Sequence, residues 1–371
     1  MIFFATCKLG LESTVAFEMK KLNLNNIRSV DGSVSFEGSF DDMAKALIHL
    51  RTAERLYLKL CSFKAVSFSE LFDNIRAMDF HPYLTPHSFI HVKGKSAKSI
   101  LFSVSDCQSI AKKAIIENLK ATYNTELIPE DGPEIIVDIA ILRDEVTVSL
   151  DCCGAGLSRR GYRTYNVAAP ISETLGAALV ILSHYWPDIP TIDPMCGSGT
   201  IPIEAAMIWN NIPPSLNRSF ASEKWPFLNQ NVFIKAREEG RDGIRNNALP
   251  VYGYDIDPRS IAVSKIHAQK AGVKVHFEVN DVRKLSPQYD NGIIICNPPY
   301  GERMMQEKET VTLYKDMRII FDSLTGFKIG VISAVKNFES IYGKKADRRR
   351  NLSNGGIPCT FFQYYPTRKH N

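Results

Sequence analysis

The chain reads as α/β. A doubly wound parallel sheet with an antiparallel terminal hairpin fills its carboxyl-terminal half, and an α+β region precedes it. Three observations predict this. From about residue 167, short apolar segments alternate with amphipathic helical ones, the pattern of a parallel sheet covered on both faces. Before residue 155, strand-like and helical segments are mixed without that strict alternation. Near the end, RRRNLSNGGIPCTFFQYYP (348–366) sets Asn354-Gly355 between two strand-like runs, a hairpin signal.

Taken in order, GLESTVAFEMKKL (10–22) and FDDMAKALIHL (40–50) have helical apolar spacing, and SVSFEG (33–38) and RLYLKLCSF (55–63) read as strands. They form a small α+β unit over residues 1–62. A second such unit, 63–155, runs through helix SELFDNIRAMD, strand SFIHVKG and the long helix DCQSIAKKAIIENLKATYN. It closes with strands EIIVDIAIL and EVTVSLD, joined at Arg143-Asp144. GLSRRGYRTYN (156–166) is a basic, glycine-punctuated linker. The α/β unit, 167–371, alternates helix ISETLGAALVILSHY, strand PTIDP, helix GTIPIEAAMIWN, strand VYGYD, helix PRSIAVSKIHAQKAG and strands VKVHFEV and GIIIC. Helix TVTLYKDMRIIFDSL and strand FKIGVIS continue it. Residues 211–247, rich in Trp, Phe, Arg and Glu, fit no repeat and read as an insertion.

At 371 residues and 44% hydrophobic composition, the chain can bury more than one core. No apolar run approaches the roughly 20 residues that span a bilayer, and the start MIFFATCKLGLEST lacks a basic n-region followed by a long apolar stretch. A cytoplasmic protein without membrane partners is expected. Eight scattered cysteines, with Cys152 and Cys153 adjacent rather than in CxxC spacing, argue against a zinc site or a disulfide framework, and no metal is expected. The net charge of +5 is uneven: residues 1–165 hold 20 basic and 20 acidic residues, the remainder 25 and 20. KKADRRR (344–350) concentrates part of that excess and suits a polyanion; a solvated surface run is its ordinary alternative.

Ligands of open parallel sheets sit beyond the carboxyl ends of the strands, and the distinctive motifs fall there. DPMCGSGT (193–200) places Asp193 at a strand tip, then Cys196, Gly197, Ser198 and Gly199 in a tight turn, then Thr200 at a helix start. It suits a nucleotide-like ligand. Pro202 stands where a dinucleotide fingerprint needs its third glycine, which disfavours a nicotinamide oxidoreductase. GYDIDP (253–258) ends a strand on Asp255, placed to accept from ribose hydroxyls, while Asp257 before Pro258 also suits a helix cap. Asn280-Asp281 puts another acid at a strand tip, suited to an adenine amino group or to an ordinary turn.

The ordered set DPMCGSGT, GYDID, ND and NPPY resembles class I S-adenosylmethionine-dependent methyltransferases that modify exocyclic amino nitrogens. With GLSRRGYR and APISETLGAAL (169–179), the whole chain resembles the THUMP-containing RNA methyltransferases, specifically the ribosomal-RNA guanine-N2 enzymes, often labelled adenine-specific DNA methylases because they share NPPY. The resemblance implies a Rossmann-like methyltransferase domain over 167–371, preceded by a ferredoxin-like domain (1–62) and a THUMP-like RNA-binding domain (63–155). S-adenosyl-L-methionine is the implied cofactor: Asp193, Gly197 and Gly199 surround its methionine portion, Asp255 its ribose and Asp281 its adenine. Cys196, Ser198, Thr200 and Asp257 belong to the same motifs, and Glu173 and Thr174 reach toward the methionine carboxylate. Arg159, Arg160 and Arg163 of the linker, with Lys344, Lys345, Arg348 and Arg349, are the implied RNA contacts. The amino-terminal half departs from this by being charge-neutral overall.

The isoleucine run that stops at Asn297, Pro298, Pro299 and Tyr300 is then explained. An exocyclic amine is a poor nucleophile because its lone pair is delocalised into the ring. The Asn297 side-chain carbonyl and the Pro298 backbone carbonyl can each accept one N–H, prolines fix φ, and Tyr300 can stack on the base. The expected activity is guanine-N2 methylation of 23S ribosomal RNA. Open alternatives are guanine-N2 methylation of transfer RNA, adenine-N6 methylation of DNA, and a non-catalytic RNA-binding or assembly factor. Some members of the family carry a second methyltransferase domain; this chain ends too soon for one, so a single modification is expected.

Overall fold

The structure, a computed structural model, describes residues 1–165, 171–183, 189–245, 250–300 and 304–366, the backbone alone at 304–307. Asn166, residues 169–170 of APISETLGAAL, the helix end 184–185, the insertion end 246–247 and residues 301–303 after NPPY lie outside the described residues.

Among the described residues, two seven-stranded sheets organise the fold. The first is assembled from β1 (Ile2–Thr6), β2 (Asn25–Val30), β3 (Ser33–Glu37), β4 (Arg55–Lys64), β5 (Phe89–Ala97), β6 (Glu134–Leu142) and β7 (Glu145–Asp151), in the order β2-β3-β1-β4-β7-β6-β5. Helices α1 (Glu12–Lys21), α2 (Phe40–His49), α3 (Phe68–Arg76) and α4 (Val104–Tyr123) cover it through one apolar core that includes Phe3, Phe36, Leu47, Leu71, Ile115 and Val137. β1 was not expected from the sequence, since five residues are too few to show a period, yet it pairs on both edges, with β3 and with β4. β4 pairs with β1 on one side and β7 on the other. The boundary expected at 62/63 therefore falls inside a strand, and the two α+β units share one sheet. Arg143 and Asp144, at φ 52° and 63°, make the two-residue turn between β6 and β7.

The second sheet is built from β8 (Thr191–Asp193), β9 (Val251–Asp255), β10 (His276–Val279), β11 (Gly292–Cys296), β12 (Phe327–Ser333), β13 (Arg348–Asn354) and β14 (Ile357–Tyr364), in the order β10-β9-β8-β11-β12-β14-β13. The first five pair in parallel and β14 antiparallel to β12 and β13. The terminal hairpin turns on Gly355 and Gly356, both at positive φ, one residue beyond the expected Asn354-Gly355, because Asn354 still pairs with Ile357. Helices α5 (Glu173–Leu182), α6 (Thr200–Trp209) and α8 (Pro258–Ala271) belong to one core of this unit. α9 (Met304–Ser323) and the short α10 (Phe338–Tyr342) belong to another.

The insertion carries α7 (Asn231–Asp242) and buries its large side chains in the first core, while Ile212 at its start packs on the second. Trp225 and Phe233 are buried in the first, Phe227 packs on Phe40 at 5.9 Å between ring centroids, and Ser222 Oγ donates to the Cys152 carbonyl.

Candidate active site

The sheet order reverses between β8 and β11, and at such a switch point the loops above neighbouring strands part and leave a crevice. A cavity of about 970 Å³ opens there. Its wall draws on the loop after β8 (Asp193 to Thr200), the ends of β9 and β10 (Asp255, Asp281), the corner after β11 (Asn297 to Tyr300) and the start of α9 (Lys308 to Leu313).

The loop after β8 is shaped by its glycines. Gly197 (φ +52°) would place a Cβ in open space, whereas a Cβ on Gly199 (φ +83°) would come 2.9 Å from both the Phe277 ring and Ser264. Gly199 is thus fixed by packing and Gly197 by the turn that faces the cavity. Cys196 is buried; its amide donates to the Tyr254 carbonyl and its carbonyl accepts from Gly199 N, each at 2.8 Å. The Ser198 carbonyl lies 3.1 Å from His267 Nδ1. Asp255 joins loop and strand, accepting from Gly197 N at 2.8 Å and from Asp257 N at 2.9 Å. Asp193, 2% exposed, accepts from Met195 N at 3.1 Å. Burial, and then the nearby Asp255, pushes its carboxyl well above the usual range.

Two further acids serve as caps. Asp257 accepts from Arg259 N at 2.9 Å, which holds its carboxyl below the usual range. It caps α8 and is not on the cavity wall, which favours the capping reading over the ligand one. Asp281 is on the wall but accepts from the Arg283 guanidinium at 2.7 Å and from its backbone amide at 3.0 Å, bonds that lower its pKa. Arg283, absent from the expected site, is the residue that orients it.

At the opposite wall, Tyr300 Oη donates to Asn297 Oδ1 at 2.6 Å, and burial raises the phenol's pKa. Tyr314 Oη donates to the Pro299 carbonyl at 2.8 Å, pinning the corner from α9. Among the described residues nothing donates to the Pro298 carbonyl. The corner therefore presents two acceptors, the second lone pair of Asn297 Oδ1 and the carbonyl of Pro298.

The basic residues disperse. Arg159 is exposed. Arg160 is a correction: its side chain is wholly buried, paired with Glu204 at 3.4 Å, and donates to the carbonyls of Leu157 and Arg51, so it cannot meet a polyanion at the surface. Arg163, 16% exposed, donates to Thr200 Oγ1 and the Ile171 carbonyl. Thr174 is also corrected, since it is buried away from the cavity and donates to Glu54 Oε1 at 2.6 Å, across the junction between the two sheets. Lys344 pairs with Asp322 at 2.6 Å and Arg349 with Glu339 at 2.7 Å, while both stay about half exposed. Lys345 and Arg348 are exposed beside them. Among the described residues no group of three His, Cys, Asp or Glu could hold a metal, and no helix is long and apolar enough to cross a membrane.

A seven-stranded sheet of this order, with its cavity at the switch point between a glycine loop and an Asn-Pro-Pro-Tyr corner, defines a Rossmann-like methyltransferase. The chain belongs to the RMKL-like methyltransferase family: that domain matches residues 160–363, an RlmL ferredoxin-like domain matches 2–57 and a THUMP domain matches 65–151. It is 40% identical over 366 residues, 97% of this chain and 95% of the relative, to a Bacillus subtilis (strain 168) protein named "Putative RNA methyltransferase YpsC". Two solved structures superpose over 99% of the chain. SMU.472, "a putative methyltransferase complexed with SAH", is 35% identical with a TM-score of 0.94 over 98% of its length. A Listeria monocytogenes protein called a "predicted N6-adenine-specific DNA methylase" is 39% identical with a TM-score of 0.93 over 96%.

Proposed function

We propose that the protein transfers a methyl group from S-adenosyl-L-methionine to an exocyclic base amine of RNA, namely guanine N2 of 23S ribosomal RNA. The pair of acceptors at the Asn297-Pro298 corner carries this reading. An amine with two N–H bonds is held by two acceptors, and holding both turns the nitrogen lone pair out of conjugation and toward a single direction. Pro298 and Pro299 stiffen that geometry, and the Tyr300 hydroxyl keeps Asn297 Oδ1 aimed.

The residues fit the cofactor. The open space above Gly197 accepts a ligand against bare backbone, buried Asp193 suits an ammonium, and Asp255 and Asp281 suit hydroxyl and amino donors. When bound, the cofactor supplies an electrophilic methyl on a sulfonium. The chain's own residues orient the amine, keep the corner rigid and hold acceptors against the positive charge that grows on nitrogen. A base inside a helix cannot reach such a corner, so the target is unpaired or flipped out. RNA rather than DNA is supported by the THUMP domain and by the name of the Bacillus relative.

The test is nucleoside mass spectrometry of separated 23S, 16S and transfer RNA from a strain lacking the gene, complemented with wild type or Asn297→Ala. Loss of N2-methylguanosine from 23S RNA, restored by wild type alone, is expected. Loss from transfer RNA instead reassigns the substrate, and an unchanged RNA profile overturns the proposal.

A further inference from the structure

His267, on α8, lies between the linker and the glycine loop and is wholly buried. Its Nδ1 is 3.1 Å from the Ser198 carbonyl, and its Nε2 accepts from the backbone amides of Thr164 and Tyr165 at 3.3 and 3.4 Å. The Tyr165 ring stacks on the imidazole at 6.4 Å between centroids, and the Tyr162 ring lies tilted at 6.3 Å.

These partners fix the state of the ring. A carbonyl only accepts, so Nδ1 carries the proton; backbone amides only donate, so Nε2 offers its lone pair. The imidazole is neutral, in one tautomer, with one nitrogen on each segment. Protonation would set an Nε2–H against two other N–H groups. Burial lowers the imidazole's pKa, the Ser198 carbonyl raises it, and the cations Arg163 of the linker and Lys270 of α8 lower it again, with a net fall.

The two segments differ in how they are held. Gly197 and Ser198 belong to the cavity wall, and α8 already supports that loop through Ser264, which a Cβ on Gly199 would meet at 2.9 Å. Thr164 and Tyr165 are exposed, and among the described residues His267 is the acceptor for both of their amides. Just upstream the linker is held by α6, where Arg160 and Tyr162 share the Glu204 carboxylate. Losing His267 therefore frees residues 164–165 from α8 and leaves the linker on α6.

Resting on the S-adenosylmethionine reading, we infer that His267 is a positioning residue that couples the linker to the glycine loop, so that seating of the linker and binding of the cofactor favour each other. A rigid ring that serves both segments cannot turn from one without losing the other, and a coupling of this kind is reciprocal. The competing role is purely structural, tying the linker to α8 with no bearing on the loop.

Amide-resolved hydrogen exchange of the full chain, with and without S-adenosylhomocysteine, separates the two. The ligand is expected to slow exchange at Thr164 and Tyr165 about fivefold or more, beyond any change in the amides of the first sheet. His267→Asn can place an amide N–H where Nδ1 stands, and His267→Gln a carbonyl where Nε2 stands, so each keeps one half of the bridge. In both variants the ligand is expected to leave the two amides unchanged and, by reciprocity, to bind more weakly by about the factor lost from exchange. Equal exchange at Thr164 and Tyr165 with and without the ligand in wild type overturns the inference, as does a wild-type response in either variant. The wild-type measurement decides even where a variant fails to fold. Failure of the wild-type protein to bind S-adenosylhomocysteine is a separate result, which overturns the cofactor reading and the inference with it.

Discussion

On the glycine-loop wall of the cavity, the polar groups are backbone amides and buried acids fixed by the fold: Asp255 ties Gly197 to β9, and Gly199 sits against Phe277 and Ser264. On the Asn297 wall, they are one side-chain amide and the Pro298 carbonyl, to which nothing among the described residues donates, braced by the hydroxyls of Tyr300 and Tyr314. The first wall cannot be altered without disturbing the sheet that carries it. The second can lose its chemistry and keep its shape. Binding and reaction should therefore separate on substitution, and each experiment below can make that separation fail.

The largest effect is expected at Asn297. Removing one of two acceptors that act on developing charge should lower the methyl-transfer rate about 100- to 1,000-fold. Affinity of Asn297→Ala for S-adenosylhomocysteine should stay within about twofold, because in the proposed function the group lost would face the amine and not the cofactor's polar ends. Single-turnover transfer to unmodified 23S RNA beside calorimetry measures both. A comparable loss of cofactor affinity would merge the two walls.

How much of this was visible beforehand follows the same division. The glycine loop, the acids at strand tips and the Asn-Pro-Pro-Tyr corner are local: each is a short segment whose conformation depends on its own residue types and on ending a strand. The arginines of GLSRRGYR were not legible, because their surroundings depend on distant partners. Arg160 meets Glu204, 44 residues away, and no spacing within the linker distinguishes it from exposed Arg159. Thr174 reads as a first-turn residue near the cavity until Glu54, 120 residues earlier, is seen to accept its proton. The insertion likewise reveals its aromatic content but not its allegiance, which depends on the surface that α2 and Phe40 present. β4 hides the fusion of two units because an uninterrupted strand looks the same whether one or two sheets use it.

The glycine-loop wall should respond in the opposite way to the Asn297 wall. Gly199→Ala must accommodate a Cβ 2.9 Å from Phe277 and Ser264 at a positive φ. Overpacking together with left-handed backbone should cost about 2–4 kcal/mol of stability. Thermal unfolding reads that loss, and weaker S-adenosylhomocysteine binding should accompany it. Wild-type stability with abolished binding would show that the loop acts only on the ligand.

The smallest effect, and the finest test of the first wall, is the pH dependence set by Asp193. In the free protein, burial and Asp255 raise its pKa well above the unfolded value, so the native state holds its proton more tightly and stability falls as pH rises through that window. A bound ammonium beside the carboxyl favours the ionised form and lowers the pKa. Binding then releases a proton, and affinity for S-adenosylhomocysteine should rise with pH by up to about tenfold per unit between the bound and free pKa values, levelling off above the latter. Asp193→Asn has no proton to release and should bind more weakly with a flat profile across that window. Calorimetry in two buffers of different ionisation enthalpy counts the proton. A wild-type profile as flat as that of Asp193→Asn would remove Asp193 from the ammonium and leave the first wall to its backbone amides.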